Sequence, residues 1–112
     1  MHPLSHPTKQ ERSACVFAVI ARFQVKPGHV DEVIDLLRQA AIPSLAESGC
    51  HSYIANQDLA DSNLIVMYEQ YDDADAFQRH LDSTHVKNLV AGKIVPLLES
   101  RTRETFAVVT ST

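Results

Sequence analysis

The chain has no tryptophan, and among its 112 residues it has only three glycines and two cysteines. With so few glycines it lacks a Gly-x-Gly-x-x-Gly motif, which argues against a flavin or nicotinamide site. Cys15 and Cys50 both fall in predicted strands and do not form a Cys-x-x-Cys pair. We therefore expect reduced core thiols, as in a cytoplasmic protein.

Long apolar runs and basic runs are also missing. The longest apolar stretch, residues 14–21, is far too short to cross a bilayer. Residues 1–8 lack the charged and apolar regions of a secretory signal. The net charge is −4 with both signs interspersed, so we expect no nucleic-acid or membrane partner. Residues 1–13 are predicted to form a flexible tail, and residues 14–112 a single domain.

Apolar periodicity predicts the element order β-α-β-β-α-α-β. The predicted strands cover residues 14–25, 49–57, 64–71 and 101–109, and the predicted helices cover residues 29–46, 73–81 and 84–98. Pro43 should kink or end the regular part of the first helix near Gln39. Gly92 and Pro96 should make the third helix irregular. This order predicts an α+β fold, a ferredoxin-like split βαβ arrangement with helices on one face of an antiparallel sheet.

The first predicted strand is apolar on both faces over most of its length. A strand of this kind is covered on both sides. In so small a domain the helices can cover only one face of the sheet. We therefore expect a homodimer whose two sheets stack.

Four short motifs follow one another along the chain. They are Val25-Lys26-Pro27-Gly28, Gly49-Cys50 with Tyr53, Tyr68-Glu69-Gln70-Tyr71, and His80 with Ser83-Thr84-His85. Over roughly residues 15–106, this ordered set resembles the antibiotic biosynthesis monooxygenase family. The resemblance implies a dimeric α/β barrel and a cofactor-independent monooxygenase that uses dioxygen and a small electron-rich, quinol-like substrate. The resemblance argues against haem breakdown. Haem-degrading relatives use a tryptophan and an asparagine on the first strand, and this chain has neither.

The candidate catalytic residues are His80, His51 and Glu69. An imidazole can take a proton from an acidic phenol or C–H group near neutral pH. A carboxylate in an apolar strand could serve as a base with a pKa raised by burial. Each also has a structural interpretation, since a histidine can cap a helix and Glu69 can bond to a backbone N–H. Glu69 could also pair with Arg22, Arg101 or Arg103.

The candidate substrate-binding residues are Tyr53, Tyr71, His85 and Asn56. Strand alternation predicts that Glu69 and Tyr71 share one face, and that His51 and Tyr53 share another. His80 and His85 flank a predicted helix break, so both could reach one cavity. We expect no metal site, because their spacing is not the i, i+4 pair of a helical site. We also expect His80 to be partly exposed, so that its truncation would cost little stability.

Two alternatives use the same cavity without oxygenation. One is a non-catalytic small-molecule-binding dimer, and the other is an isomerase of a small sugar-like metabolite. A titratable group with a strongly shifted pKa inside the cavity would favour an enzyme, whereas a purely apolar cavity would favour binding or packing.

Overall fold

The computed structural model describes residues 16–110, so the predicted tail at residues 1–13 and Cys15 lie outside it. Four strands and three helical segments follow in the predicted order. They are β1 (Phe17–Val25), α1 (Val30–Leu45), β2 (Cys50–Gln57), β3 (Leu64–Tyr71), α2 (Ala74–Asp82), α3 (Val86–Ile94, with a 3-10 turn at Val95–Leu97) and β4 (Leu98–Ala107).

The strands form one antiparallel sheet in the order β2-β3-β1-β4. Val19 on β1 lies opposite Glu69 on β3 and Thr105 on β4. The two central strands are therefore the first and third in sequence, as a split βαβ arrangement requires. The predicted α+β class and ferredoxin-like sheet are confirmed.

Alternation along the strands divides the sheet into two different faces. The helices pack on the face that carries Val19, Met67 and Tyr71, all of which are almost fully buried. On the opposite face Ile54 and Phe106 keep 50% and 45% of their surface exposed. Within residues 16–110 no helix covers that second face.

Pro43 lies inside α1, which continues to Leu45, so the predicted end near Gln39 is wrong. Proline removes one backbone donor, and here that donor falls in the last turn of the helix. The Ala46 N–H still bonds to the Ile42 carbonyl at 3.3 Å, so the helical end is preserved.

The segment between α2 and α3 places two histidines on either side of a break. α2 begins at an N-cap Asp73, whose carboxylate accepts a hydrogen bond from the Ala76 N–H at 2.8 Å. α2 ends at Ser83, which is extended, and α3 is π-helical from Val86. The predicted irregular helix is confirmed. His80 therefore lies in the last turn of one helix and His85 directly before the next.

Gly49 is required by a close approach between β2 and α2. A Cβ atom at this position would lie 2.7 Å from the Cβ of Ala76. We expect Gly49→Ala to lower the free energy of unfolding by about 1–3 kcal/mol, the usual cost of overpacking. Urea denaturation measures this loss. The Gly49→Ala/Ala76→Gly double variant removes the clash. Its loss of unfolding free energy should therefore be smaller than the sum of the losses of the two single variants. Additive effects would show that the approach is not limiting.

Candidate functional site

A cavity of about 420 Å³ lies between the helices α2 and α3 and the sheet, with lining residues from all four strands. Its sheet side includes Tyr53 and Glu69, and its helix side includes His80. Lys87, Arg101 and Arg103 also line it. The cavity therefore brings together an imidazole, a carboxyl group, a phenol and three cationic side chains.

His80 is buried at the helix side of this cavity. Only 4% of its side chain is exposed, so the prediction of a partly exposed residue is wrong. Its ring centroid lies 5.5 Å from that of Tyr53 and 5.1 Å from that of Tyr71. The last turn of α2 points the side chain at the sheet, where both tyrosines hold the ring in one orientation.

Glu47 orients His80 through a hydrogen bond that sequence reasoning missed. The Nδ1 of His80 lies 2.9 Å from Glu47 Oε2, and the Nε2 of His85 lies 2.7 Å from the same oxygen. We assign the proton of His80 to Nδ1, because an ionised carboxylate can only accept. The Nε2 of His80 is then free to accept a proton. Burial lowers the pKa of His80, and the Glu47 carboxylate partly offsets this.

Glu69 is a buried carboxyl group in the middle of β3. It is 6% exposed, and the Tyr71 hydroxyl donates to its Oε1 at 2.5 Å. Burial raises the pKa of Glu69 to about 7, although the Tyr71 hydrogen bond and the Arg103 charge oppose the rise. The Nε2 of His80 lies 3.8 Å from the same Oε1. A neutral imidazole and a carboxyl group that titrates near neutrality thus lie side by side.

The predicted pairing of Glu69 with arginine is not what the structure shows. Arg22 lies on the other face of the sheet, where it pairs with Glu104 at 2.7 Å. Arg103 is close enough to lower the pKa of Glu69, but no ion pair joins them within 4.0 Å. Glu69 is satisfied instead by Tyr71, the residue predicted to share its face.

His51 does not share the face of Tyr53, and that prediction is wrong. The pairing of β2 with β3 shifts between Cys50 and Ser52, so Cys50 lies opposite Tyr71 and Tyr53 opposite Glu69. This bulge inserts one residue and resets the alternation of the strand. His51 is consequently half exposed, pairs with Asp72 and does not line the cavity. The structure therefore places His51 outside the cavity that contains His80 and Glu69.

Asn56 also lies away from His80. Its side chain is exposed, and its amide donates to the Val66 carbonyl at 3.0 Å. Asn56 lines a second cavity of about 460 Å³ between α1 and the β2–β3 hairpin, which Tyr53 borders as well. A substrate that contacts His80 in the first cavity is therefore not expected to contact Asn56.

The sequence patterns did not predict that four residues would contribute to this site, either by lining the cavity or by orienting His80. They are Glu47, Lys87, Arg101 and Arg103. Arg101 and Arg103 are two positions apart on β4, so the sequence alone predicts that they share one face of the sheet. No spacing connects Glu47 to His80, because the loop after α1 meets α2 only in the folded chain.

Glu47, His80 and His85 also form a compact donor set. One ligand atom from each residue lies within 4.8 Å of the others, a separation that a divalent cation could span. However, the Glu47 carboxylate already accepts from both imidazoles, which satisfies all three groups by hydrogen bonding. We therefore treat them as a hydrogen-bonded group that orients His80.

The fold and the cavity define a small ferredoxin-like α+β domain with a titratable site between the helices and the sheet. Residues 16–92 match the model of the family described as antibiotic biosynthesis monooxygenase. Because this match covers more than half of the chain, the protein belongs to that family. Within residues 16–110, no helix is long and apolar enough to cross a membrane.

Proteins of known structure share this fold over most of the chain. Rv0793 of Mycobacterium tuberculosis is 37% identical over 71 residues, which cover 63% of this chain and 69% of Rv0793. Its solved structure has a TM-score of 0.78, with 29% identity over 86% of this chain and 97% of that one. PA3566 of Pseudomonas aeruginosa has a TM-score of 0.80, with 30% identity over 88% of this chain and 98% of that one.

Proposed function

We propose that the protein is a cofactor-independent monooxygenase that oxidises a small, electron-rich quinol- or anthrone-type substrate with dioxygen. Family membership supports the class of reaction. The observation that carries the proposal is the buried His80, whose Nδ1 is held by Glu47 while its Nε2 is directed at Glu69 beside the cavity. A buried base oriented by a carboxylate is the arrangement that proton abstraction from a weak acid needs.

His80 would start the reaction as a general base. Its Nε2 takes a proton from the phenol or the acidic C–H group of the substrate. The Glu47 carboxylate stabilises the imidazolium that forms, as it already accepts the Nδ1–H. The substrate anion is electron-rich enough to reduce dioxygen directly, which removes the need for a flavin or a metal in this proposal.

The oxidation of an anthrone-type carbon by dioxygen is balanced in atoms and electrons without a further reductant. The anion supplies electrons to dioxygen, a C–O bond forms, and the hydroperoxide receives the proton held by His80. Loss of the second C–H proton then breaks the O–O bond and leaves a carbonyl. One CH₂ group and one O₂ become one C=O group and one water, so all four electrons come from the substrate.

Glu69 would act in its neutral form. A protonated carboxyl can donate a hydrogen bond to the oxyanion that develops on the substrate, which an ionised one cannot. Burial favours that neutral form by raising the pKa to about 7. Tyr53 and Tyr71 keep their hydroxyl protons, since burial raises the pKa of both. The tyrosine closest to the cavity, Tyr53, would orient the substrate ring.

Oxygen uptake tests the proposed function. Protein treated with a chelator and free of added flavin and nicotinamide is mixed with a panel of anthrones and substituted hydroquinones. We expect uptake of one O₂ for each substrate consumed, with one oxygen atom in the product. Tight binding of a panel member without oxygen uptake would identify a non-catalytic binder. Conversion to an isomer of equal mass would identify an isomerase.

We also propose a homodimer formed through the sheet face opposite the helices, consistent with a family that is generally dimeric. Light scattering is expected to give twice the 12.4 kDa of one chain. Ile54→Glu places a charge in that face and should shift the protein towards monomer. The matched control is Ile42→Glu, since Ile42 is exposed on α1 and should not affect assembly. A wild-type monomer at micromolar concentration would contradict the dimer.

Localisation in the cytoplasm remains a prediction. Cys50 is a buried free thiol, as expected of a reduced core cysteine. Burial raises its pKa to about 11, so it is an unreactive thiol at neutral pH.

A further inference from the structure

Positive charge is concentrated at the cavity of a protein that is acidic overall. The net charge of the chain is −4, yet Lys87, Arg101 and Arg103 all line this cavity. Glu69 is its only lining carboxyl group among residues 16–110, and burial keeps that group partly neutral near pH 7. The cavity therefore carries a net positive charge where the protein as a whole does not.

Within residues 16–110, these three cations lack the carboxylate partners that Arg22 and Arg38 have. Arg22 pairs with Glu104 at 2.7 Å, and Arg38 pairs with Asp35 at 3.2 Å. Within residues 16–110, no carboxylate oxygen lies within 4.0 Å of the charged nitrogens of Lys87, Arg101 or Arg103. Their charge is thus available to a ligand.

The cations are arranged on both sides of the opening. Arg101 and Arg103 alternate on β4, opposite Phe23 and Ala21 of β1, so both point to the helix face of the sheet. Lys87 reaches the same cavity from α3. The guanidinium of Arg103 also lies 5.2 Å from the ring centroid of Phe77, a stacking contact that limits its motion. A planar guanidinium held in this way is suited to bind a carboxylate through two hydrogen bonds.

We propose that the substrate of this cavity is an anionic aromatic compound, a quinol- or anthrone-type ring bearing a carboxylate. Arg101, Arg103 and Lys87 bind the carboxylate, and the ring extends towards Tyr53 and His80. This inference rests on the proposed function for the identity of the ring, but the charge preference follows from the cations alone.

A matched pair of probes isolates the charge. We would titrate the wild-type protein with 2,5-dihydroxybenzoate and with its uncharged methyl ester, and measure Kd by calorimetry under anaerobic conditions. Because hydrogen bonds to charged groups are the strong ones, the acid should bind about tenfold or more tightly than the ester. Raising the salt concentration should narrow this difference, since the cations are exposed to solvent.

Arg103→Gln is expected to remove most of the preference for the acid and to leave the Kd of the ester nearly unchanged. Lys93→Gln is the matched control, since Lys93 is exposed on α3 and does not line the cavity. It should keep the preference. Equal binding of acid and ester by the wild type, or no binding of the acid at millimolar concentration, would overturn the proposal.

The outcomes separate this inference from the proposed function. A preference for the acid without oxygen uptake would support the anion site and contradict the monooxygenase. Oxygen uptake on the neutral ester, with no preference for the acid, would support the monooxygenase and overturn the anion site.

Discussion

Replacing His80 by glutamine is expected to lower kcat/KM for oxygen uptake by roughly 10²–10⁴-fold, the usual contribution of a positioned general base. Glutamine can still donate a hydrogen bond to Glu47, so it keeps the contact that holds the loop after α1 to α2. Its amide has no basic nitrogen, so it cannot take the proton of the substrate. The loss should therefore appear in the rate and only weakly in the melting temperature.

His51→Gln is the matched control for this variant. His51 also has a carboxylate partner, Asp72, but it is half exposed and does not line the cavity. Its replacement should leave oxygen uptake within about twofold of the wild type, as expected for a surface position. Full activity in His80→Gln, or an equal loss in His51→Gln, would remove His80 from the role of the base.

Alanine is a poorer test at position 80 than the sequence suggested. Because His80 is buried and bonded to Glu47, truncation would leave a cavity and a carboxylate with one partner fewer. We expect His80→Ala to destabilise the protein by about 2–4 kcal/mol, so loss of activity in that variant would have two causes.

Replacing Glu69 by glutamine is expected to remove a pH dependence of stability. Between pH 4.5 and about 7 the unfolded carboxyl is ionised, whereas the folded one keeps its proton because burial raises its pKa to about 7. The folded state then binds more protons, so its stability falls as the pH rises through this window. Since one pKa unit corresponds to ~1.4 kcal/mol, the loss by pH 8 is roughly 3 kcal/mol.

Urea denaturation of the wild type and of Glu69→Gln from pH 4.5 to 8 measures this contribution. His80 affects the pH dependence of stability in the opposite direction. Because burial lowers the pKa of His80, the folded state loses stability as the pH falls. Both proteins share that effect, so their difference isolates Glu69. Glutamine can still accept from Tyr71. The stability of Glu69→Gln relative to the wild type should therefore rise between pH 4.5 and about 7, and stay constant at higher pH. Parallel curves would show that Glu69 titrates normally.

The same variant assigns the role of Glu69 in turnover. If the neutral carboxyl donates to the substrate oxyanion, kcat/KM of the wild type should fall above a pH of about 7. This decline should be absent in Glu69→Gln, whose amide donates at every pH. A wild-type rate that rises through pH 7 would instead make Glu69 the base.

The element order could be predicted because it depends on local patterns, and that order in turn predicted the ferredoxin-like sheet. The short apolar run of β1 and the helical stripe of α1 indicate their own secondary structure. The parity of β3 likewise predicted that Glu69 and Tyr71 share a face. These inferences need only the residues of one element.

The errors arose where one residue changes the geometry or where distant segments meet. The bulge at His51 moved it off the face of Tyr53, and nothing in the residue types of β2 indicates it. Glu47 meets His80 across 33 positions of the chain, a contact that only the packing of α1, α2 and the sheet creates. The burial of His80 follows from the same packing.

The most direct test of His80 as the base is the exchange of the substrate C–H proton for deuterium under anaerobic conditions. The protein is mixed anaerobically in D₂O with an anthrone-type substrate that gives oxygen uptake, and deuterium incorporation at its acidic CH₂ carbon is followed by mass spectrometry. We predict incorporation catalysed by the wild type and by His51→Gln, and none above the uncatalysed rate with His80→Gln. Exchange by His80→Gln at the wild-type rate would contradict the assignment.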